Sequence, residues 1–451
     1  MSVFVVPIFD RWLVYAPLLD TSALINRAAH SQLRADADNI DAGLADLRAA
    51  LIHVPVKIPQ ALQGKVSVPF LGLVPTRACN LSCAYCGFGA SPSSERMDIS
   101  TAVAGVNWMA AHVLESGRRT LDVHFFGGEP LVAFEVLEVA VHRARYVAFQ
   151  KGLQANLEVA TNGACSEPQA RFVADHFQTV ILSFDGFEET HDRRRSFASG
   201  TGSFSMVSRT AQICRESPAN LCLRICVAED NVDSLPEIVA WFCDEFHPTA
   251  IDFETLQPTL ESKRAGLRPP DPYRFAAGYL KARRIALQRG VDAVYAAGAI
   301  DEPRLTLCPV GTDAMILHPD GRLSACYLPE PDWHCRGLDL MMGVLRPDGT
   351  LTLDPVALQR VRQLVAEKPR CRHCFCRWTC AGACHVNHSY PGCPNSYDDQ
   401  CIQTRLVTAC RLLQKLDFDS LARELLENRQ AMERLALQAD DRLHSDEAAR
   451  A

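Results

Sequence analysis

The chain has 451 residues, 48% of them hydrophobic and 22% charged, so it can bury a sizeable core in two or three domains. A net charge of −7 gives no indication of nucleic-acid binding, and no apolar stretch is long enough to span a membrane. Because Asp10 and Arg11 interrupt the apolar N-terminus and no basic segment precedes it, we expect no signal peptide and a cytoplasmic location.

Residues 1–68 are predicted to form a small α+β unit at the N-terminus, which is a candidate for recognising a peptide. Two short apolar runs come first. A helical stretch follows, in which Leu24, Ile25, Ala28 and Ala29 share one face.

Strand-like and helical segments alternate between residues 69 and 300, where six β/α units can be counted. The predicted strands are 69–76, 121–126, 156–161, 179–185, 220–228 and 250–257. The predicted helices are 100–115, 132–149, 168–177, 203–216, 234–246 and 272–289. Apolar strands alternating with helices predict a parallel sheet covered by helices, either open or a partial barrel. In both cases the chemistry lies in loops at the carboxyl ends of the strands.

The alternation stops after residue 300. Residues 301–412 are rich in cysteine, proline and glycine and contain few apolar runs, so their cohesion has to come from metal ligation. Residues 413–451 form a helical tail, in which the stretch from Leu416 to Leu443 is predicted to be one charged amphipathic helix.

The sequence contains 19 cysteines, an odd number that suits a disulfide scaffold poorly in a chain of this length. Metal or redox use explains them better. Three cysteines lie within residues 79–86 and ten within residues 308–401. The cysteines between these groups lie in periodic apolar segments, so we interpret them as core residues: Cys165, Cys214, Cys222, Cys226 and Cys243.

The first predicted strand leads directly into a motif, Cys79-x3-Cys83-x2-Cys86, with Tyr85 before the last cysteine. Three thiolates on one tight loop can hold three irons of a four-iron cluster and leave the fourth iron open to a ligand. A structural zinc site is the alternative, but it needs four ligands and no fourth lies nearby in the sequence. The motif resembles that of the radical S-adenosylmethionine (SAM) family.

This resemblance implies a partial (β/α)6 TIM-like barrel and a [4Fe–4S] cluster bound with S-adenosylmethionine. The loop Gly127-Gly128-Glu129-Pro130 follows the second strand, where the family binds the amino group of the cofactor. Its glycines permit a close backbone approach, and its carboxylate can accept from an ammonium. Further cofactor contacts are implied for Tyr85 and for Asn162, which lies in the loop after the third strand.

The fourth strand ends in a sequence that resembles the peptide-modifying branch of the family, with Ser183 and Asp185 followed by Arg195. The resemblance implies that Ser183 contacts the cofactor and that Arg195, or a neighbouring arginine, pairs with the cofactor's carboxylate. A solvated basic loop is the alternative for Arg193 and Arg194. Asp185 is a candidate catalytic residue.

The cysteines beyond residue 300 resemble the SPASM domain, which holds two auxiliary [4Fe–4S] clusters in peptide-modifying radical enzymes. A zinc ribbon would explain one C-x2-C pair but not seven cysteines in this order. The resemblance implies a distal cluster with four ligands: Cys371, Cys374, Cys380 and Cys401. It implies a proximal cluster with three matched ligands: Cys308, Cys326 and Cys384.

Two positions depart from the anaerobic sulfatase maturases, a related branch. Glu302 stands where they have a further cysteine, and Tyr327 stands where they have an aspartate that is their proposed general base. Both departures count against sulfatase maturation, and they make Tyr327 a second catalytic candidate. Three spare cysteines are available as a missing ligand: Cys335, Cys376 and Cys393.

The resemblance implies an enzyme that generates a 5′-deoxyadenosyl radical and cross-links residues of a ribosomally made peptide. Its expected partners are that precursor peptide or a protein substrate, and an electron donor such as flavodoxin or ferredoxin, with no nucleic acid and no membrane. A sulfatase maturase that forms formylglycine is the first alternative. A non-catalytic iron–sulfur or zinc scaffold, or an electron carrier, is the second, although a carrier needs no substrate loop.

Overall fold

The computed structural model describes residues 3–35, 42–52, 58–87, 95–364, 369–386 and 397–438. Within these ranges, an 11-stranded sheet is the largest element, and a 3-stranded sheet lies near the N-terminus. No helix in the same ranges is long and apolar enough to cross a membrane.

The strands and helices are numbered in chain order. The strands are β1 (Phe4–Ile8), β2 (Arg11–Ala16), β3 (Thr21–Ile25), β4 (Leu71–Leu73), β5 (Thr120–Phe125), β6 (Gln154–Thr161), β7 (Thr179–Ser183), β8 (Asn220–Val227), β9 (Ala250–Thr255), β10 (Asp292–Val294), β11 (Met315–Leu317), β12 (Arg322–Ser324), β13 (Met341–Leu345) and β14 (Leu351–Leu353). The helices are α1 (Arg27–Ala35), α2 (Ala42–Ile52), α3 (Ile99–Glu115), α4 (Phe134–Lys151), α5 (Glu167–His176), α6 (Glu188–Arg194), α7 (Phe204–Arg215), α8 (Leu235–Phe246), α9 (Leu260–Arg264), α10 (Pro272–Gln288), α11 (Glu330–His334), α12 (Pro355–Gln363), α13 (Asp399–Lys415), α14 (Asp419–Glu427) and α15 (Arg429–Leu437).

The N-terminal unit is an antiparallel sheet of order β1-β2-β3, followed by α1 and α2. The predicted helical face is wrong for Leu24 and Ile25, because both lie in β3 and pair with β2. Helix α1 begins only after Asn26, whose side chain accepts a hydrogen bond from the Ala29 amide at 2.9 Å. An asparagine that caps a helix in this way leaves the residues before it outside the helix.

The six strands predicted between residues 69 and 300 form a parallel sheet, β4 to β9, in which each strand pairs with the next one in the chain. Helices connect them, as parallel pairing requires. Strand β4 pairs with β11 and not with β9, so the six-stranded unit is a partial barrel that does not close on itself. The predicted α/β fold is confirmed.

The sheet continues into the cysteine-rich region, which the sequence analysis did not predict. Strand β11 runs parallel to β4, and β12, β13 and β14 follow it in antiparallel order. Three of these four strands have only 3 residues, too few to show a period in the sequence. Because β4 and β11 are parallel neighbours, the loops that follow them lie side by side.

The parallel strands have one apolar and one polar face. In β5, Leu121, Val123 and Phe125 are at most 1% exposed and belong to the hydrophobic core, whereas the alternating Asp122 and His124 are half-buried. Side chains alternate between the two faces of a strand, so the polar residues of the neighbouring strands share this second face. The polar face is the inner face of the partial barrel.

The cysteine-rich region contains little regular structure. Residues 369–386 hold one short 3-10 helix, Pro369–His373, and turns. The predicted single helix from Leu416 to Leu443 is wrong, because Asn428 separates α14 from α15 and caps the second helix by accepting from the Ala431 amide at 3.0 Å. The part of that prediction beyond residue 438 lies outside the described residues.

Candidate functional site

The three-cysteine motif lies on the loop after β4, at the carboxyl end of the parallel sheet. The backbone of this cysteine loop bonds to the last residue of α6 and to the segment after it. The Ser82 amide donates to the Ser196 carbonyl and the Ala84 amide donates to the Arg194 carbonyl, each at 2.8 Å. Main-chain bonds therefore fix the loop that presents the sulfur atoms.

The three thiols of the cysteine loop act on one another electrostatically. Burial raises the pKa of Cys83 to about 12; Arg195 opposes this rise, and Cys86 and Cys79 add to it. Burial raises the pKa of Cys79 to about 11, and Cys86 adds to that rise. Such thiols are neutral at neutral pH, so a bound metal has to displace their protons.

The donor set fits an iron–sulfur cluster. In the part of the chain that the structure describes, no three or more histidine, cysteine, aspartate or glutamate side chains are grouped to hold one metal ion. A structural zinc ion takes four ligands, whereas three thiols on one loop, each bound to its own iron, suit a cubane cluster.

Gly127 and Gly128 bring the loop after β5 against the start of the cysteine loop. The Gly128 amide donates to the Thr76 carbonyl at 3.1 Å, and the Glu129 amide donates to the Ala78 carbonyl at 2.8 Å. A Cβ atom on Gly128 would lie 2.2 Å from the Ala78 carbonyl oxygen, so no other residue fits there. The glycines thus serve a close approach between two loops of this chain.

The carboxylate of Glu129 has three donors within the protein. Its Oε1 accepts from the Thr161 hydroxyl at 2.8 Å and from the Leu131 amide at 3.0 Å, and its Oε2 accepts from the Asn162 amide at 2.7 Å. Burial raises the pKa of Glu129, while these bonds favour its charged form. Glu129 therefore joins the loops after β5 and β6. Pro130, at the first position of the short helix that Glu129 caps, is buried beside it.

Asn162 connects the loop after β6 to the cysteine loop. Its Nδ2 donates to Asn80 Oδ1 at 2.9 Å and lies 3.6 Å from Cys79 Sγ, and its Oδ1 accepts from the Ala164 amide at 2.9 Å. An amide N–H directed at a sulfur ligand orients that ligand and stabilises its thiolate.

Asp185 is fully buried and links the cysteine loop to the end of β7. Its Oδ2 accepts from the Tyr85 hydroxyl at 2.7 Å and pairs with Arg195 Nε at 3.1 Å, while its Oδ1 accepts from the Cys226 amide at 3.0 Å. Although burial acts to raise it, the pKa of Asp185 is lowered, chiefly by Arg195. The guanidinium also lies 5.3 Å from the centre of the Tyr85 ring. Asp185 thus holds both Tyr85 and Arg195 in place.

The remaining arginines of this segment are paired elsewhere. Arg193 and Arg194 both form ion pairs with Asp230, the first on the surface and the second buried. This pairing leaves Arg195 as the arginine that faces the cysteine loop. Ser183 is half-buried at the end of β7.

The four cysteines of the expected distal set share one neighbourhood. Burial raises the pKa of Cys401 well above its ordinary value, and Asp398 adds to this effect. The other three members add to it as well: Cys380, Cys374 and Cys371. Arg405 is buried and donates to Cys374 Sγ at 3.2 Å.

The expected proximal set is also brought together. Burial raises the pKa of Cys326 to about 12, Cys308 and Cys384 add to the rise, and Arg77 opposes it. Glu302 is exposed. Of the spare cysteines, Cys335 is exposed, Cys376 is buried beside Cys374, and Cys393 lies outside the described residues.

Tyr327 extends from the cysteine-rich region into the partial barrel. Its ring centre lies 4.9 Å from that of Phe126. A Cβ atom on Gly72 would lie 2.5 Å from the Tyr327 hydroxyl, so the glycine in β4 makes room for this side chain. Burial raises the pKa of Tyr327, and the charge of Glu158 adds to the rise. The signal in the sequence was a glycine inside the first strand, whose purpose could not be recognised there.

The inner face also carries charged residues that were not predicted from the sequence. Arg224 Nε pairs with Asp252 Oδ2 at 2.7 Å, and His124 Nδ1 lies 3.7 Å from Glu158 Oε1. Burial and then Asp252 raise the pKa of Glu254 to about 7. Alternating charges within the predicted strands were the available signal.

The interpretation of five cysteines as core residues is correct for the three that are buried: Cys165, Cys214 and Cys243. It is wrong for Cys222 and Cys226, which are half-buried on the inner face of β8. Both share that face with Arg224, because residues two apart in a strand point to the same side.

The model of the Radical SAM superfamily matches residues 73–242. This range begins at the end of β4 and extends into α8, so it contains the cysteine loop and the loops after β5, β6 and β7. Residues 73–242 are therefore a radical SAM domain, and the family implies a [4Fe–4S] cluster and S-adenosylmethionine.

Three curated proteins are similar to parts of the chain. The radical SAM cyclopropyl synthase TigE of Paramaledivibacter caminithermalis is 21% identical over 192 residues, which are 40% of this chain and 39% of that protein. The cysteine-type anaerobic sulfatase-maturating enzyme of Clostridium perfringens is 27% identical over 208 residues, 44% of this chain and 55% of that protein. The PqqA peptide cyclase of Gluconobacter oxydans is 25% identical over 262 residues, 56% and 69% of the two chains. The chain thus spans about half the length or less of the first two relatives.

Two solved structures share the fold. Native anSMEcpe with bound AdoMet has a TM-score of 0.62 at 18% identity, with 77% of this chain and 100% of that chain covered. Streptococcus suis SuiB bound to its precursor peptide SuiA has a TM-score of 0.50 at 10% identity, with 86% and 95% covered.

Proposed function

We infer that this chain, which contains a radical SAM domain at residues 73–242, is an enzyme that generates a 5′-deoxyadenosyl radical and uses it to cross-link residues of a ribosomally made peptide. The observation that carries the proposal is the position of the cysteine loop, on which the loops bearing Glu129, Asn162 and Arg195 converge. A scaffold or an electron carrier needs the thiols but not these surrounding loops. A relative that is named a peptide cyclase supports the substrate class.

Each residue of the proposed cofactor site has a defined task. Cys79, Cys83 and Cys86 are the cluster ligands. When bound, the cluster and S-adenosylmethionine supply a primary carbon radical that abstracts hydrogen from the substrate. Arg195, held by Asp185, presents its charge to the carboxylate of the cofactor.

The remaining cofactor contacts come from the other three loops. The loop of Gly127 and Gly128 packs closely against the cysteine loop, and Glu129 helps to hold it there. The carboxylate of Glu129 would also accept from the amino group of the cofactor. Ser183 adds a hydroxyl at the end of β7.

We propose two auxiliary [4Fe–4S] clusters in residues 301–412. The distal one is supported by the shared neighbourhood of four cysteines: Cys371, Cys374, Cys380 and Cys401. The proximal one is supported by the neighbourhood of three: Cys308, Cys326 and Cys384. Three thiolates for four irons leave one iron to be open, bound by a spare cysteine or bound by an oxygen ligand, and an open iron would hold a thiolate or backbone amide of the substrate.

The N-terminal unit, residues 1–68, is the proposed binding site for the precursor peptide. In the described ranges β3 is an edge of the three-stranded sheet, and all five of its residues are half-buried. The opposite edge, β1, packs against α15. An open edge strand offers backbone donors and acceptors to an extended peptide, which can add to the sheet as a further strand.

Sulfatase maturation is the second candidate function, because a sulfatase-maturating enzyme is among the sequence relatives. Glu302 and Tyr327, which replace a cysteine and an aspartate of that branch, count against it. Incubation with a short peptide that contains the target cysteine or serine of a sulfatase distinguishes sulfatase maturation from cross-linking. Formylglycine in that peptide supports maturation, whereas loss of two hydrogens and a new internal bond in a peptide encoded nearby supports cross-linking.

The decisive experiment is anaerobic reconstitution followed by an assay for 5′-deoxyadenosine with dithionite as reductant. We expect about three four-iron clusters for each chain and formation of 5′-deoxyadenosine. About one cluster with stoichiometric zinc would contradict the auxiliary clusters. A fully loaded protein that forms no 5′-deoxyadenosine would instead be a scaffold or carrier.

A further inference from the structure

Arg77 lies between the cysteine loop and the loop that carries Cys326. It follows β4 and precedes Cys79 by two residues. His318 directly follows β11, the parallel neighbour of β4, so Arg77 and His318 meet at the carboxyl edge of the sheet. Arg77 is half-buried, and it contacts the carbonyl of Tyr327, the residue that follows Cys326 in the chain.

The guanidinium of Arg77 bonds to the cysteine-rich region in two directions. Its Nη1 donates to the Tyr327 carbonyl at 3.0 Å, and its Nη2 contacts His318 Nδ1. Burial, followed by the charge of Arg77, lowers the pKa of His318 to about 3, so this imidazole is neutral and its Nδ1 accepts from the guanidinium.

The contact with His318 continues to Cys326 itself. His318 Nε2 donates to Ser324 Oγ at 2.7 Å, and Ser324 Oγ donates to the Cys326 carbonyl at 2.7 Å. The Cys326 amide returns to Ser324 Oγ at 3.3 Å. The backbone of Cys326 and Tyr327 is therefore held on both sides by a network that begins at Arg77.

We propose that Arg77 is a positioning residue that fixes Cys326 relative to the cysteine loop and sets the reduction potential of the proximal auxiliary cluster. The proposal rests on the proposed function, because it requires that cluster. A cation beside a cluster stabilises the reduced form, which carries one more negative charge, and net charge near a cluster is one of the determinants of its potential. A brace that only stabilised the fold would leave the potential unchanged.

Arg118 supplies a matched control at the opposite end of the same strand. It is half-buried, contacts the Val68 carbonyl and donates to the Pro69 carbonyl at 2.6 Å, just before β4. Arg118→Gln therefore removes the same charge and a similar main-chain brace at the amino edge of the sheet, far from the cysteines. Arg77→Lys keeps the charge near Cys326 but cannot contact both the Tyr327 carbonyl and His318 as the guanidinium does. This variant therefore separates the electrostatic effect of Arg77 from its positioning effect.

The test is a redox titration of the reconstituted holoenzyme followed by electron paramagnetic resonance. The variant Cys79→Ala/Cys83→Ala/Cys86→Ala, which retains only auxiliary signals, serves to assign them. In Arg77→Gln we expect one auxiliary midpoint potential to become more negative while the other stays in place. Arg77→Lys should show a smaller shift, and Arg118→Gln should show none.

Three outcomes overturn the proposal or its premise, and they are distinguishable. Unchanged potentials in Arg77→Gln with all clusters present would show that Arg77 does not influence the proximal cluster, while leaving the proposed function intact. If Arg77→Gln and Arg118→Gln lost a cluster to the same extent, Arg77 would only stabilise the fold and would have no specific effect on the proximal cluster. An unmodified protein without auxiliary clusters would contradict the proposed function itself. Loss of one cluster in both Arg77→Gln and Arg77→Lys, with Arg118→Gln retaining all clusters, would support positioning, because lysine keeps the charge but not the two contacts.

Discussion

Two cysteine-bearing regions of this chain are held in place by different forces. The cysteine loop of the barrel follows a strand whose residues Leu71 and Leu73 are buried, and its own backbone bonds to a neighbouring segment. Residues 369–386 contain one short 3-10 helix and turns. Two alanines there, Ala381 and Ala383, have φ angles of 52° and 56°, in a region that costs an L-residue roughly 1–2 kcal/mol.

The difference indicates what ligation has to supply in each region. Hydrophobic burial already forms the barrel, so a cluster meets a loop that is preformed. In residues 369–386, where buried apolar side chains such as Phe375 and Trp378 lie on turns, ligation has to offset the strained backbone and the scarcity of regular structure, as it does in small metal-stabilised domains. We therefore expect the loss of metal to be tolerated structurally by the barrel and not by the cysteine-rich region.

Removing the ligands of the barrel cluster should have the largest effect on activity and little effect on the fold. The variant Cys79→Ala/Cys83→Ala/Cys86→Ala should form no 5′-deoxyadenosine with dithionite, because the thiolates that bind the catalytic irons are absent. The absorbance of the auxiliary clusters and the far-ultraviolet circular dichroism should remain as in the unmodified protein. Continued formation of 5′-deoxyadenosine would show that the catalytic cluster lies elsewhere.

Removing all metal should separate the two regions in hydrogen exchange. After anaerobic chelation, amides in residues 369–386 should exchange at least about 100-fold faster, because local opening is no longer opposed by ligation. Amides of β5 to β8 should change by less than about tenfold, since their strands are held by burial. A uniform increase across both regions would mean that the barrel also depends on metal.

Within the barrel, Glu129 should be the most sensitive single side chain of the site. Glu129→Ala leaves the Thr161 hydroxyl and two amides without their buried acceptor, at about 1–3 kcal/mol for each unmet group. Urea unfolding should therefore show a loss of about 4 kcal/mol, together with weaker cofactor binding in equilibrium dialysis. Glu129→Gln keeps one acceptor oxygen and should lose about half as much. If Glu129→Ala were as stable as the unmodified protein, the three hydrogen bonds to Glu129 would contribute nothing to stability.

A pH dependence should arise from His191, which is fully buried. Its Nδ1 accepts from the Asp185 amide at 3.3 Å and its Nε2 contacts Ser203 Oγ at 3.0 Å, an arrangement that requires the neutral ring. Burial lowers the pKa of His191 to about 4, whereas the unfolded chain has the usual value near 6.5. The unfolded state binds the extra proton between these values, so the stabilisation is complete above about pH 6.5 and is lost as the pH falls towards 4.

Urea unfolding of the cluster-free chain at pH 6.5 and pH 4.5 tests the role of His191. The unmodified chain should lose about 2 kcal/mol more than His191→Gln over this interval, because glutamine does not titrate. The same pH slope in both chains would show that another group is responsible.

The barrel could be predicted from the sequence because its strands are apolar runs and its helices show a clear period. Strands β11, β12 and β14 could not, because three residues carry no period, and β11 joins the sheet by pairing with β4, more than 200 residues earlier in the chain. The link between the cysteine-rich region and the barrel sheet was therefore invisible in the sequence.

The site residues could be named from their motifs, but their partners could not. Asp185 was identified with its neighbours in the chain, yet its carboxylate accepts from the Cys226 amide, which lies 41 residues away. The resemblance implies that Glu129 accepts from a cofactor, and the structure adds three donors from this chain that bond to the same carboxylate. These donors come from loops that meet only in the folded protein, so no local pattern encodes them.

The smallest effect is expected for the spare cysteines of the cysteine-rich region, where the proximal set has three matched thiols. Cys335 is exposed, with its thiol 3.2 Å from the Asp332 carbonyl, and the Cys376 thiol is buried against Cys374 of the distal set. Neither is among the groups whose charge acts most strongly on Cys326.

We therefore expect Cys335→Ser and Cys376→Ala to retain about three clusters for each chain, with Cys376→Ala alone losing about 1–2 kcal/mol of stability from its small cavity. Iron and sulfide analysis checks both variants, and Cys393→Ser completes the series. Loss of one cluster in any single variant would identify a fourth thiolate and rule out an open iron at the proximal site.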